Sequence, residues 1–234
     1  MSMTILWTAS MKLSNETLTI LKNFSTINSN IVVNSGSTIK TMSESKTIMS
    51  VATVKESFPD TFGVYDLNEF LGTMNMFDNS NLDFDSSMKF VKISQGNCSV
   101  KYFFSEVSNL TSPTRDIVMP PCEISFSFTS SDMNSIRKAS SALGATDLII
   151  DSTNEGKLIL RVTDTSNPTS NSFEMEYPNE NAVKAKCIFN ITNFKFINDD
   201  YDVCISSKLI SNFKAKNNPI EYWIALEKSS NFGE

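Results

Sequence analysis

The chain has no histidine and only 7 glycines in 234 residues. The first absence removes the commonest general base, the commonest metal ligand and the hydrolase triad together. The second leaves little for a phosphate-binding loop, and neither GxxxxGK[ST] nor GxGxxG occurs. ATP binding through a known loop is therefore not expected. No apolar run approaches the roughly 18 residues of a membrane-spanning helix, so an integral membrane protein is not expected either. Basic excess is missing too, with 20 Lys and Arg against 26 Asp and Glu. What is present, 40% hydrophobic and 20% charged residues, is ordinary globular usage and excludes a disordered, collagenous or coiled-coil chain. The length suits one large domain or two of modest size.

Four cysteines, Cys98, Cys122, Cys187 and Cys204, form no CxxC pair. A zinc site would need all four thiolates from scattered positions, so reduced core thiols are expected instead. Asn-x-Ser/Thr triplets such as Asn23-Phe24-Ser25 and Asn97-Cys98-Ser99 are expected by chance in a chain this rich in Asn, Ser and Thr. Residues 1–10 read as an upstream in-frame extension without order, because Met11-Lys12-Leu13 could itself be a start and no basic flank marks a leader.

From Ser14 the pattern is helical, with Leu18, Leu21, Phe24 and Ile27 (and Ile20) on one side and Asn15, Thr19, Lys22 and Thr26 on the other. Strand patterns follow at 31–33, 39–42, 48–54 and 62–65. Asp66 then caps a short helix that turns Leu67, Phe70, Leu71 and Met74 inward, and strands near Phe84, at 89–93 and at 99–104 close the half. Residues 109–121 read as a connector with poor ladder residues at Pro113, Pro120 and Pro121. After it the order recurs. A strand at 123–128 leads to a helix capped by Ser130 or Ser131, with Met133, Ile136, Ser140 and Leu143 inward and Gly144 at its end. A hairpin around Asn154-Glu155-Gly156 follows, then strands at 173–177 and 186–189, a short helix capped by Asn190, and three closing strands. A period of about 100 residues is a domain duplication rather than a solenoid. The expected class is α+β, two tandem domains at 11–108 and 122–230, with helices on one side of antiparallel sheets.

Particular segments carry a resemblance. Met11-Lys12-Leu13-Ser14 with Leu21-Lys22-Asn23-Phe24-Ser25-Thr26-Ile27 is similar to the first helix of the DNA sliding clamps of T-even-type tailed phages. Val64-Tyr65-Asp66-Leu67-Asn68-Glu69-Phe70-Leu71-Gly72 looks like an interior segment of that family. Phe189-Asn190-Ile191-Thr192-Asn193-Phe194 and Tyr222-Trp223-Ile224-Ala225-Leu226-Glu227 are similar again. The resemblance implies a duplicated clamp fold, with sheets outside and helices on the inner face of a head-to-tail homotrimeric ring. It implies a non-enzymatic processivity factor that encircles duplex DNA in the cytoplasm of an infected bacterial host. Its partners would be the replicative DNA polymerase and a separate ATP-driven clamp loader, with transcription factors left open and no cofactor.

A net charge of −6 fits such a ring. Linkage would be topological, so only the lining needs positive potential. The candidate lining residues are Lys12, Lys22, Arg137, Lys138 and Lys195; the bland reading is ordinary solvated charge. Edge pairing between copies is expected through Val100, Tyr102 and Phe104 on one strand and Phe173, Met175 and Tyr177 on another. Ile117, Val118 and Met119 form an apolar island that either packs at the domain junction or walls a groove for a partner's tail. Asp83/Asp85 and Asp199/Asp200/Asp202 could hold a metal but sit where Asp favours turns. The competing class is a phage structural or adaptor protein with duplicated α+β domains.

Overall fold

Polar caps and apolar stripes set the three helices of the computed structural model, which describes residues 7–153, 156–181 and 183–233. The chain divides into two units, Met1–Arg115 and Asp116–Glu234.

The first unit contains β1 (Trp7–Met11), α1 (Asn15–Ile27), β2 (Ile31–Val33), β3 (Gly36–Met42), β4 (Ile48–Phe58), β5 (Phe62–Val64), α2 (Leu67–Met74), β6 (Asn81–Asp85), β7 (Phe90–Gln95) and β8 (Cys98–Phe103). Its strands run β1-β6-β7-β8 in one antiparallel sheet and β5-β2-β3-β4 in succession in another. Ser14 caps α1 by accepting from the Thr17 N–H, which satisfies one of the orphan donors of the first turn. Ile20, Leu21, Phe24 and Ile27 are buried as expected, but Thr17 replaces Leu18 on the inner side. The reason is polar: the Thr17 hydroxyl donates to the Glu56 carboxylate, which also accepts from the Ser14 N–H at 2.5 Å. Asp66 caps α2 by accepting from the N–H groups of Asn68 and Glu69, and Leu67, Phe70, Leu71 and Met74 are all buried.

The second unit contains β9 (Ile124–Phe128), α3 (Ser130–Leu143), β10 (Asp147–Ser152), β11 (Lys157–Thr163), β12 (Phe173–Pro178), β13 (Ala185–Asn190), β14 (Tyr201–Ser206), β15 (Ile210–Ala215), β16 (Ile220–Ala225) and β17 (Asn231–Phe232). Its orders are β9-β14-β15-β16 and β13-β10-β11-β12, with β17 added beside β13. Adding eight to each strand number of the first unit reproduces the second, so the expected α+β duplication is a duplication of topology. Thr129, not Ser130 or Ser131, caps α3. Its hydroxyl accepts from the Asp132 N–H while the Asp132 carboxylate accepts from the Thr129 N–H, a reciprocal capping box. Gly144 ends α3 in the left-handed region at φ 64°. Met133 and Ile136 are buried, whereas Leu143 is exposed, because it lies on the last turn beyond the packed stripe. Phe128, Phe189, Phe194, Phe196, Phe213, Tyr201 and Tyr222 make the aromatic core.

Three further expectations change. Residues 7–10 are not a disordered extension but most of β1, paired along β6 and equivalent to β9 of the second unit. Residues 1–6 lie outside the described residues, as do Asn154 and Glu155 of the expected hairpin turn. The short helix expected after Asn190 is one 3₁₀ turn, Ile191–Asn193, although Asn190 caps it by accepting from the Thr192 N–H. The cysteines are not all reduced core thiols: Cys122 and Cys204 pair as a disulfide beside the β9–β14 ladder, with their Cα atoms 5.5 Å apart. Cys98 is exposed, and only Cys187 is a buried thiol, its pKa pushed up to about 12 by burial and then by Asp151 and Glu123.

Candidate functional site

Two features of the units bear on function: basic side chains on helix faces and the strands that end sheets. On α1 the residues Asn15, Thr19, Lys22 and Thr26 are all exposed, as their spacing predicts. Lys22 borders a polar groove of about 740 Å³ between α1 and the 74–80 segment, where Asn15, Thr19, Asn75 and Asn79 also line the wall. Lys12 is exposed just ahead of the Ser14 cap. The acid of the first turn, Glu16, is held by Lys55 at 2.5 Å.

Arg137 and Lys138 are exposed on α3. The Arg137 guanidinium donates to the Phe194 carbonyl at 3.2 Å, which ties α3 to the segment carrying Lys195. Lys195 follows the 3₁₀ turn rather than riding a helix, and it is half-buried. So Arg137 is tied to the residue before Lys195 within the second unit, while Lys12 and Lys22 belong to the first.

The strand β8 ends the β1-β6-β7-β8 sheet, and β12 ends the sheet of β10, β11 and β13. Both alternate. On β8, Val100 and Tyr102 are half-buried while Lys101 and Phe103 face solvent; on β12, Phe173, Met175 and Tyr177 are half-buried while Glu174 and Glu176 are exposed. The inward side chains are already anchored in their own unit. The Tyr102 hydroxyl donates to the Asp66 carbonyl at 3.2 Å, and its ring meets Phe70 edge-on at 5.1 Å. Burial, then Glu69 and Asp66, push the Tyr102 pKa up to about 12. Phe104 stacks on Phe62 at 4.4 Å, and its N–H extends the ladder to the Lys89 carbonyl. The Tyr177 hydroxyl donates to Asp132 at 2.6 Å, so β12 is latched to the capping box of α3.

The edges at β9 and β5 are each capped at one position. The Asn181 side chain accepts from the Ser125 N–H and donates to the Ser125 carbonyl, filling a ladder position on β9. On β5, the Gly63 carbonyl accepts from the Ser105 N–H at 2.8 Å.

Of the apolar island, Val118 is 87% exposed, and Ile117 and Met119 are half-buried. The aspartate clusters have other work. Asp199 is buried and accepts from the Asp200 N–H and from the backbone and side-chain amides of Asn217 and Asn218. Burial opposes its ionisation, yet these donors hold its pKa below the ordinary value. Five N–H groups surround that carboxylate, an arrangement that repels rather than admits a cation. Asp85 accepts from the hydroxyl and N–H of Ser87 in a turn. Sequence patterns had not singled out the charges of the edge strands, Lys101, Glu174 and Glu176, because alternation marks a face without marking an edge.

Comparison with known proteins follows the topology. The profile of the DNA polymerase processivity factor family matches residues 13–112. The sliding clamp of Vibrio phage KVP40 is 31% identical over 225 residues, covering 93% of this chain and 99% of that protein. The sliding clamp of Escherichia phage RB69 is 25% identical over 230 residues, covering 94% and 98%. Among solved structures, A. fulgidus PCNA bound to the C-terminal region of FEN-1 aligns with a TM-score of 0.70 at 14% identity, over 95% of this chain and 99% of that one.

Proposed function

The chain belongs to the sliding-clamp family, and from that membership we propose that three copies close head to tail into a ring around duplex DNA. As a clamp it is not an enzyme; it is a processivity factor that tethers a DNA polymerase to its template. The adaptor alternative gives way to the family match over nearly the whole chain. The observation that carries the ring is the duplicated topology with two different edge strands, β8 and β12, since a head-to-tail ring needs unlike surfaces that fit each other. An ATP-driven loader opens the ring, in keeping with a sequence that has no nucleotide-binding loop. The relatives are phage proteins, so the work is done inside an infected bacterium.

In this reading Lys12, Lys22, Arg137, Lys138 and Lys195 form a weak, sequence-independent phosphate screen. Ile117, Val118 and Met119 supply part of the surface that takes the polymerase's apolar tail. Retention on circular duplex against the same duplex linearised is the test. After loading, the protein stays on the circle through moderate salt and leaves the linear form by its ends; equal half-lives on both overturn the ring. The Phe104 N–H runs to Lys89 of the β7 side and the Asn179 N–H to Gly156 of the β11 side, so by alternation Phe103 and Glu174 point theirs outward. Phe103→Pro and Glu174→Pro remove those outward ladder donors from β8 and β12, and both are expected to lower the oligomer mass in sedimentation. For the tail, Val118→Ser and Met119→Ser should weaken a polymerase C-terminal peptide in titration, and unchanged binding removes these residues from the docking surface.

A further inference from the structure

We propose that the seam between copies is set in register by charge: Lys101 on β8 stands opposite Glu176 on β12 of the next copy, with Glu174 diagonal to it. This rests on the reading above that β8 and β12 pair between copies. The two edges carry opposite signs on their outward faces. Within its own sheet Lys101 is directly opposite Lys92, a like-charged cross-strand pair, and Lys92 is in turn opposite Asp83. The Lys101 ammonium lies 3.6 Å over the Phe90 ring, so the cation is held at the edge by an aromatic face. The last two strands of that sheet therefore set two lysines side by side.

The β12 sheet ends in negative charge. Glu174 accepts from Arg161 at 2.5 Å and Glu176 pairs with Lys157 at 3.1 Å, both from β11, and both carboxylates keep an exposed side. Joining β8 to β12 places Glu174 and Glu176 between Lys101 on one side and Arg161 and Lys157 on the other. Opposite charges then face each other across the new ladder, and the Lys92–Lys101 repulsion is offset from the other side.

The register follows from the buried faces. With Lys101 opposite Glu176, Val100 meets Tyr177, Tyr102 meets Met175 and Phe104 meets Phe173, so three half-buried side chains on each strand find a counterpart. A two-residue slip leaves one aromatic unmatched on each strand, Phe104 and Tyr177, and brings Lys101 to Glu174, whose carboxylate Arg161 already grips more closely. A one-residue slip turns the charges to the apolar side, which a half-buried ladder does not tolerate.

Sedimentation of the full chain tests the seam at about 50 mM and about 500 mM salt, using Lys101→Glu, Glu176→Lys and the double reversal. Each single reversal should raise the concentration of half-dissociation about tenfold at low salt, and the double reversal should return it to within about threefold of the parent. The differences should shrink at high salt. Near-UV circular dichroism checks folding, and the neutral variants Lys101→Gln and Glu176→Gln, expected between parent and reversal, replace any variant that loses the parent spectrum. Single reversals that dissociate like the parent, or a double reversal no better than the worse single, overturn the proposal. The proline variants separate the two readings. If they keep the parent mass, the β8–β12 seam itself is wrong; if they dissociate while the reversals do not, only the charge register fails.

Discussion

Glu56 ties the start of α1 to β4 through one carboxylate, accepting from the Ser14 N–H and the Thr17 hydroxyl. Burial opposes its ionisation, but these bonds hold its pKa below the ordinary value of 4.5. A depressed carboxyl contributes stability that is fully present above the unfolded pKa and is lost as pH falls through the folded one. Glu56→Gln is therefore expected to lower stability by about 1 kcal/mol at neutral pH and to flatten the acid limb of the stability curve below about pH 4.5, as measured by urea titration across pH. Gly63 is constrained by space rather than dihedral angle. A Cβ there would lie 2.6 Å from Leu110 Cδ1 and 2.8 Å from the Ser105 carbonyl oxygen. The carbonyl is backbone and bridged to Gly63, so it cannot swing aside. Gly63→Ala should cost about 1–3 kcal/mol by thermal unfolding, and a change under about 0.5 kcal/mol would show that the 105–110 segment yields.

At the scale of elements, β1 is the strand that a reader of sequence would discard and the fold retains. Its pairing partner β6 lies some 70 residues downstream, at positions Met11↔Leu82 and Ser10↔Asp83. Deleting residues 1–10 should uncover the β6 edge and lower the melting temperature by about 5 °C or more, and an unchanged melting curve would make β1 dispensable. The local elements were legible because their signals are local: Asp66 with Leu67, Phe70, Leu71 and Met74 contains the cap and the stripe of α2 in nine residues. Asn190 gave the same cap signal, but Ile191–Asn193 is too short for an α-turn to propagate, so Lys195 came off the helix where its spacing had put it. The exposed face of α1 with Lys22 could be read from helical period, and so could Arg137 and Lys138 on α3. The Cys122–Cys204 pairing could not, because it depends on how β9 and β14 meet across a separation of 82 residues. Edge charges escaped for the same reason: Lys101 and Glu176 look like any solvent-facing alternation until the sheet order shows which strands come last.

At the scale of the molecule, an acidic chain that works on DNA poses no electrostatic contradiction if hold comes from linkage and the contacts are few and weak. Replacing Lys12, Lys22, Arg137, Lys138 and Lys195 together with Ala should impair loading and processive synthesis while leaving oligomer mass intact, measured by primer extension on a circular template beside sedimentation. Processivity equal to the parent would remove these five from the DNA path. The amide of Asn181, filling a ladder position of β9, has a consequence best put in the language of polymer chemistry. A monomer with two complementary reactive ends cyclises when dilute and grows chains when concentrated; one with a third reactive end branches and gels. Asn181→Ala would uncap that end, and the expected sign is light scattering that climbs with protein concentration, where the parent stays at one fixed size. In the proposed ring, Asn181 thus keeps the functionality of the monomer down, and low functionality is the condition under which assembly stops at a closed cycle.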